Sequence, residues 1–563
     1  MDPRNFQVTI GGQAGQGLVT LGGALARALV RSGYHIAVTQ SYMSRVRGGH
    51  NTFAIRAGTS YVGAPQEAID LLIALNDETA ELHRAAVAQA DGVVILSSAS
   101  AIVAGRSLRV PYKELADSRH EDMIALGVAA ALLGLDLSLV SGIVSSLFQA
   151  KDAASARVNS AAVTAGYEWG KQAPPALNVS LPPVRAADMR LMLNGNEALA
   201  LGALAAGVRF CAFYPMSPST SVVLELAKHA DVMGVVVEQA EDEIAAINMA
   251  LGAAYAGGRS MTATSGGGFA LMAEAVSLAA ATEIPVVIVV AQRPGPATGL
   301  PTRTEQSDLE FVLHAGHGEF SRALLTPGTV EACFELMRRA FTLAEASQSP
   351  VFVMTDQFLA DSYRDVLPFD LIEPPLRSPP VPEPVQDPYR SYALTASGVS
   401  PRLVPCASGH LVVADSHEHA ESGHITEEPA LRTQMVDKRL RKLDVLSANV
   451  VPPEYAGSDA PELLLVSWGS SKGAVAEAAA LLNAVGQDVA TLHFDQVWPL
   501  VPSQFLGRLQ AARHTVCVEG NATRQFARLL RRESGFLIGR SVCRYDGRPF
   551  TSEYIVERLS YEL

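Results

Sequence analysis

The sequence predicts an α/β fold of several domains, with parallel or mixed sheets flanked by helices. Three observations predict it. At 563 residues the chain exceeds what one hydrophobic core organises, and domains of roughly 100–200 residues imply about three or four. Proline-rich seams divide it at 172–186, at 367–389 and more weakly at 451–462, because proline removes backbone donors and disfavours both helix and central strand. Between the seams one grammar recurs: a β-branched run, a Gly- or Ser-containing turn, then a helical stretch. It is read at 8–10 into 15–30, at 235–237 into 243–255, and at 463–466 into 472–485. Continuous apolar strands alternating with helices are the pattern of sheets covered on both faces.

Composition narrows the function classes. Hydrophobic residues make up 48% and charged ones 18%, which excludes a largely disordered chain. The 44 basic and 57 acidic residues leave a net charge of −13, against any sequence-independent grip on nucleic acid. The five cysteines, at 211, 333, 406, 517 and 543, form no C-x-x-C pair, which argues against a local zinc or iron–sulfur site. No basic region followed by an apolar core opens the sequence. No apolar run reaches the ~18–20 residues of a membrane span, and 284–291 reads as a buried strand. The expectation is a soluble, cytoplasmic protein with reduced thiols and no membrane partner.

In the first segment, strand 8–10 runs into GGQAGQG, with glycines at 11, 12, 15 and 17 before a helix. Such a turn can offer backbone N–H groups and a helix dipole to an anion. The order is G-x-x-G-x-G rather than G-x-G-x-x-G. The next strand, 35–40, ends in Gln40 where a dinucleotide site would place an acid. A tight structural turn is the first reading and a nucleotide site the second. The loop that follows, SYMSRVRGGHN, carries Arg45, Arg47 and His50, whose guanidinium forks suit a carboxylate or phosphate; a solvated basic turn is the bland alternative.

The middle segment holds four motifs. Tyr214-Pro-Met-Ser-Pro-Ser-Thr220 is a proline-fixed loop whose hydroxyls can cap a helix or present Ser217 to a ligand. Glu241, Asp242 and Glu243 open the next helix. Acids in a first turn are favoured by the helix dipole, yet apolar flanks leave room for one to be buried and tuned for acid–base work. Thr262-Ala-Thr-Ser-Gly-Gly-Gly268 is a glycine- and hydroxyl-rich strand exit. The stretch from Gln292 to Asp308, QRPGPATGLPTRTEQSD, completes the set.

In their order and spacing these four motifs resemble the 2-oxoacid:ferredoxin oxidoreductases, in particular the large subunit in which a gamma domain is fused ahead of the alpha part. GGQAGQG and RGGHN are similar to that gamma domain, and TEEPALRTQMVDKRLRKL at 426–443 resembles the same subunit of the 2-oxoglutarate type. The resemblance covers nearly the whole chain. It implies a gamma-type domain at 1–172, a transketolase-like pyrimidine-binding domain for thiamine diphosphate at 187–366, a linker and irregular connecting region at 367–460 and a transketolase C-terminal-like domain at 461–563.

The resemblance also implies roles. Glu243 matches the glutamate that hydrogen-bonds the aminopyrimidine of thiamine diphosphate, a bond that lets the cofactor's own amino group take the thiazolium C2 proton. Tyr214, Pro215, Ser265 and Gly266 match the surrounding cofactor site. Ser217 stands where the family loop usually carries threonine, so a hydroxyl contact to substrate is kept and a methyl lost. Arg303, in LPTRTEQ, matches a cation expected at the substrate carboxylate. Arg45 and Arg47 are lesser candidates for a second carboxylate or for coenzyme A. His314 and His317 match a stretch near the active site, although lone histidines are more often structural. The loop cluster His417, His419 and His424 has a metal-like look at a place where the family uses none. The C-terminal part, with VEGN at 518–521, is assigned to packing and subunit contact rather than chemistry.

What the chain lacks points to a partner. It contains no Gly-Asp-Gly, the motif the family uses with a later Asn to hold the divalent ion on the cofactor's pyrophosphate, and no clustered cysteines for single-electron transfer. The resemblance therefore implies a beta subunit supplying Mg²⁺ and a [4Fe-4S] centre. The assembly would be a heterodimer or dimer of heterodimers, passing electrons to ferredoxin. The leading expectation is oxidative decarboxylation of 2-oxoglutarate with coenzyme A. The alternatives are pyruvate or branched-chain 2-oxoacids, or a non-catalytic nucleotide-binding protein on the same sheets.

Overall fold

The computed structural model describes residues 5–44, 49–102, 105–149, 152–174, 181, 189–371, 385 and 387–560. Arg45, Arg47 and most of the first two proline seams lie outside them. The chain forms two compact units. One comprises the residues up to Leu193 with Ser362–Pro368 and Thr551–Tyr554; the other comprises Asn194–Asp361, Phe369–Phe550 and the remaining C-terminal residues.

The first unit is built on one mixed eight-stranded sheet. Its strands run in the order Ser107–Val110, Val93–Ser97, Leu71–Ala74, Asn5–Gly12, Asn51–Gly58, His35–Ser41, Arg364–Val366, Leu191–Leu193. Val8–Gly11 pair in parallel with Leu71–Ala74, while Asn51–Gly58 is antiparallel to both Asn5–Gly12 and His35–Ser41. The helix Leu18–Arg31 buries one face against this sheet, with Leu21, Leu25 and Leu29 all 0% exposed. Its start is set by Gly17 in the left-handed region, φ 77°, a conformation that a Cβ disfavours.

The second unit carries two sheets. The seven-stranded sheet has the order Gln496–Trp498, Ala323–Leu325, Pro350–Asp356, Val286–Gln292, Ser260–Thr264, Phe210–Phe213, Val236–Gln239. All neighbouring pairs are parallel except the contact of Ala323–Leu325 with Gln496–Trp498. Val286–Gln292 is buried along its whole length, as a central parallel strand requires. The five-stranded sheet has the order Glu454–Ala456, Val489–Phe494, Leu463–Trp468, His514–Glu519, Arg540–Cys543. Trp468, Phe494, Phe505 and Phe526 pack in the same hydrophobic core as Ile288 and Phe352 of the seven-stranded sheet, so the two sheets share one core.

Contrary to the expectation from their prolines, residues 367–460 are not irregular throughout: they include a 20-residue helix, Pro429–Ala448, which Pro429 opens at a position that needs no N–H partner. Its lysines Lys438 and Lys442 are essentially unexposed, and both bring Nζ to Glu283 Oε2, at 2.5 and 2.6 Å. Burial alone would push the Glu283 carboxyl up. Lys442 and Lys438 outweigh it and hold it below its ordinary value, while burial draws Lys442 down to about 8. Among the described residues no helix is long and apolar enough to cross a membrane.

Candidate active site

The motifs of the middle segment share a location fixed by topology. Phe210–Phe213, Val236–Gln239, Ser260–Thr264 and Val286–Gln292 are four adjacent parallel strands. The loop with Tyr214, Pro215 and Ser217, the acids 241–243, Ser265–Gly268 and Arg293 each follow the carboxyl end of one of them. In open parallel sheets the crevice outside the carboxyl ends is where ligands bind.

The three acids divide their work. Asp242 is the N-cap of the helix Glu243–Tyr255: its extended backbone, φ −158°, lets its side chain accept from Ala245 N at 2.7 Å. Glu241 is exposed. That cap places Glu243 at the first helical position, where it is 3% exposed and its Oε1 has no hydrogen-bond partner among the described residues. The neighbouring helix, Gly266–Ala281, begins with three glycines. A Cβ on Gly268 would lie 2.5 Å from Glu243 Oε1 and 2.2 Å from Thr264 Oγ1, so only glycine lets these groups approach.

Other polar atoms here are buried without partners among the described residues: Ser265 Oγ, Thr262 Oγ1 and Asp308 Oδ2. An unpaired buried polar group costs about 1–3 kcal/mol, and a cluster of them is what a polar ligand completes. The donor set fits an aminopyrimidine: a buried carboxyl oxygen, hydroxyls, and a glycine turn with no side chain in the way. Glu243, Ser265 and the Gly266–Gly268 turn are the residues that would hold it.

Two side chains not singled out from sequence complete the site. Arg293 Nη1 donates to the carbonyl oxygen of Ser217 at 2.7 Å. Burial lowers its pKa, with Asp308 opposing. A partly desolvated guanidinium opposed by one acid, Asp308, keeps the donor fork that a planar carboxylate fits. Asp308 lies against the start of the glycine helix, where a Cβ on Gly266 would meet its Oδ2 at 2.4 Å. Burial raises its carboxyl to about 6 against the pull of Arg293. Both residues stand inside the quoted stretch 292–308, but spacing alone does not distinguish an arginine that meets the loop from one that meets solvent.

The remaining expectations are placed as follows. Ser217, Tyr214 and Pro215 are exposed on a loop held by Met216 N donating to Thr220 Oγ1, 2.9 Å, and Asn196 Nδ2 donating to Pro218 O, 2.8 Å. Arg303 is partly exposed, and a Cβ on Gly547 would lie 3.0 Å from Arg303 Cβ. His314 accepts from Arg532 at 3.0 Å, and His317 bonds through its backbone to Ser277. His417 binds Asp415, His424 binds Ser422, and buried His419 stacks on Tyr392 with ring centroids 3.9 Å apart.

In the first unit, a cavity of about 550 Å³ is lined by Gly15, Gly17, Thr20, Tyr42 and Asn51 among others. Nearby, His50 and His83 bring their Nε2 atoms to 2.9 Å, and burial, with His50 adding to it, lowers His83 to about 4.

Residues 201–438 match the family described as pyruvate flavodoxin/ferredoxin oxidoreductase, thiamine diP-bdg, and residues 7–169 match pyruvate ferredoxin/flavodoxin oxidoreductase. The chain is 30% identical to a 2-oxoacid:ferredoxin oxidoreductase subunit alpha of Sulfolobus sp over 98% of its own length and 96% of that protein's. A 2-oxoglutarate oxidoreductase subunit KorA of Mycobacterium tuberculosis is 33% identical over 68% of this chain and 59% of its own. Among solved structures, the 2-oxoglutarate:ferredoxin oxidoreductase of Magnetococcus marinus, with 2-oxoglutarate, coenzyme A and succinyl-CoA bound, matches 99% of each chain at a TM-score of 0.93 and 28% identity. Similarity at 30% identity along nearly the whole chain, with the thiamine diphosphate-binding family match over 201–438, makes this chain a member of the 2-oxoacid:ferredoxin oxidoreductase alpha-subunit family.

Proposed function

We propose that this chain is the large subunit of a thiamine diphosphate-dependent 2-oxoglutarate:ferredoxin oxidoreductase, which converts the oxoacid and coenzyme A to acyl-CoA and CO₂ while reducing ferredoxin. The observation that carries the reading is Glu243: a buried carboxyl oxygen without a partner among the described residues, facing a glycine turn, in the thiamine diphosphate-binding region. The preference for 2-oxoglutarate is supported by the Magnetococcus relative, whose structure holds that oxoacid, and by the KorA relatives.

The bound cofactor supplies the electron sink that decarboxylation of a 2-oxoacid needs. Glu243 would hold the aminopyrimidine ring nitrogen and its proton, and Ser265 and Gly266 would lie beside it. Tyr214 and Pro215 shape the rim. Arg293 and Arg303 are the cations for the substrate's carboxylates, and the Ser217 hydroxyl is the polar contact of the loop whose carbonyl Arg293 holds. Arg45 and Arg47 are secondary candidates for a distal carboxylate or coenzyme A. The parts are a gamma-type domain at 1–172, the pyrimidine-binding domain at 187–366, the connecting region at 367–460 and the C-terminal domain at 461–563.

A beta subunit supplies Mg²⁺ for the pyrophosphate and the [4Fe-4S] centre, in a cytoplasmic heterodimer or dimer of heterodimers. The chain's own lack of Gly-Asp-Gly and of clustered cysteines supports this division. The test is copurification with the beta subunit, then coenzyme A-dependent viologen reduction across a panel of 2-oxoacids. Turnover highest on 2-oxoglutarate supports the reading. Highest turnover on pyruvate or a branched-chain oxoacid shifts the substrate, and inactivity on all of them removes the catalytic reading.

A further inference from the structure

The loop that carries Arg303 and Asp308 has no regular structure of its own, since residues 293–308 form neither helix nor strand. Its backbone groups must find partners elsewhere, and residues from the C-terminal part provide them.

Gln306 is the centre of the arrangement. It is 3% exposed, and its side chain bonds at both ends: Nε2 donates to Trp468 O at 3.0 Å and Oε1 accepts from Gly520 N at 2.8 Å. Its backbone N donates back to Gly520 O at 2.6 Å, and its carbonyl accepts from Asn521 Nδ2 at 3.2 Å. Asn521 is held in turn by donating to Glu519 Oε2 at 2.7 Å and accepting from the amides of Thr523 and Gln525. Gln525 Nε2 donates to Ser307 O at 2.8 Å, and its Oε1 accepts from Glu310 N at 3.0 Å. Thr304 N donates to Gly547 O at 3.2 Å.

We propose that Gln306, Asn521 and Gln525 are positioning residues, through which the C-terminal part holds the 303–308 loop and sets the affinity of the site for its oxoacid. The proposal rests on the functional reading above and assigns the VEGN strand exit a role beyond packing. Ordering an irregular loop before substrate arrives removes an entropic cost from binding, which appears in KM more than in the chemical step. Plain domain packing would make the same bonds matter for stability without touching KM.

The test uses the full chain with its beta partner and two variants. Gln306→Ala removes the central amide. Gln525→Ala removes only the bonds to Ser307 and Glu310 and guards against a folding failure of the first. Each is expected to raise KM for the oxoacid about tenfold with kcat within about twofold. Amide exchange in 303–310 is expected to accelerate while exchange in Val286–Gln292 does not. Unchanged KM in an active, folded variant overturns the proposal, as does a fall in kcat alone or unchanged exchange in the loop. A wild-type complex inactive on every oxoacid overturns the functional reading itself, a result separate from the exchange measurement.

Discussion

A Cβ on Gly268 would stand 2.5 Å from Glu243 Oε1, so the residue opening one helix and the glycine in the first turn of the next are coupled by close approach. Glu243→Ala is expected to lower turnover on the order of 10²–10⁴-fold while the complex still assembles. Gly268→Ala, which adds one methyl against the same oxygen, is expected to weaken thiamine diphosphate binding and turnover together. Near-normal turnover of Glu243→Ala, measured by viologen reduction, would sink the assignment.

Arg293 and Arg303 are separable by kinetics. Arg293 meets the Ser217 carbonyl and is partly desolvated, so Arg293→Ala should raise KM for the oxoacid about tenfold or more. Arg293→Lys should restore only part of that, because an ammonium cannot form the planar fork. Arg303→Ala should also act mainly on KM. An unchanged KM in either variant takes that arginine out of the carboxylate site.

Asp308 makes stability depend on pH in a stated direction. Burial raises its folded-state pKa from 3.8 to about 6. The folded state therefore binds the proton more tightly than the unfolded one, and stability is lost as pH rises through about 6. Asp308→Asn removes this term. Its melting temperature relative to wild type should improve between pH 4 and pH 7.5, by an amount equivalent to roughly 2–3 kcal/mol. A pH-independent difference between the two melting curves would contradict the assignment of the shift to Asp308.

Glu283 is a single carboxylate shared by two buried lysines, Lys438 and Lys442. Removing it in Glu283→Ala leaves Lys438 and Lys442 without a counterion, and a loss of about 3–5 kcal/mol is expected in chemical denaturation. Because Lys442 and Lys438 hold the Glu283 carboxyl below its ordinary value, its contribution is present above the unfolded pKa and fades as pH falls through the folded one. Replacing Lys442 by methionine in the Glu283→Ala background should recover part of the loss, and no recovery would separate the effect from the charge.

Much of the site was legible because its chemistry is local. The order of strand exits in the middle segment appears directly in the sequence, and a parallel α/β sheet brings such exits to one edge whatever the loops do. The strands at 284–291 and 463–466 were readable for a related reason: burial on both faces leaves continuous apolar runs. The antiparallel course of Asn51–Gly58 was not, since an apolar strand has the same composition in either direction.

The sequence by itself determined the family, the kinds of chemical group available and the absence of a Gly-Asp-Gly motif and of clustered cysteines. Only the tertiary structure decided which of three consecutive acids is buried. Glu241, Asp242 and Glu243 have the same charge, and the helix start assigns Asp242 to the cap and turns Glu243 inward. It also brought Arg293 to Ser217 across 76 residues and tied Gln306 to Asn521 across 215. Pairings over such separations are set by packing and by the need to satisfy buried backbone groups, and no local pattern of residues encodes them.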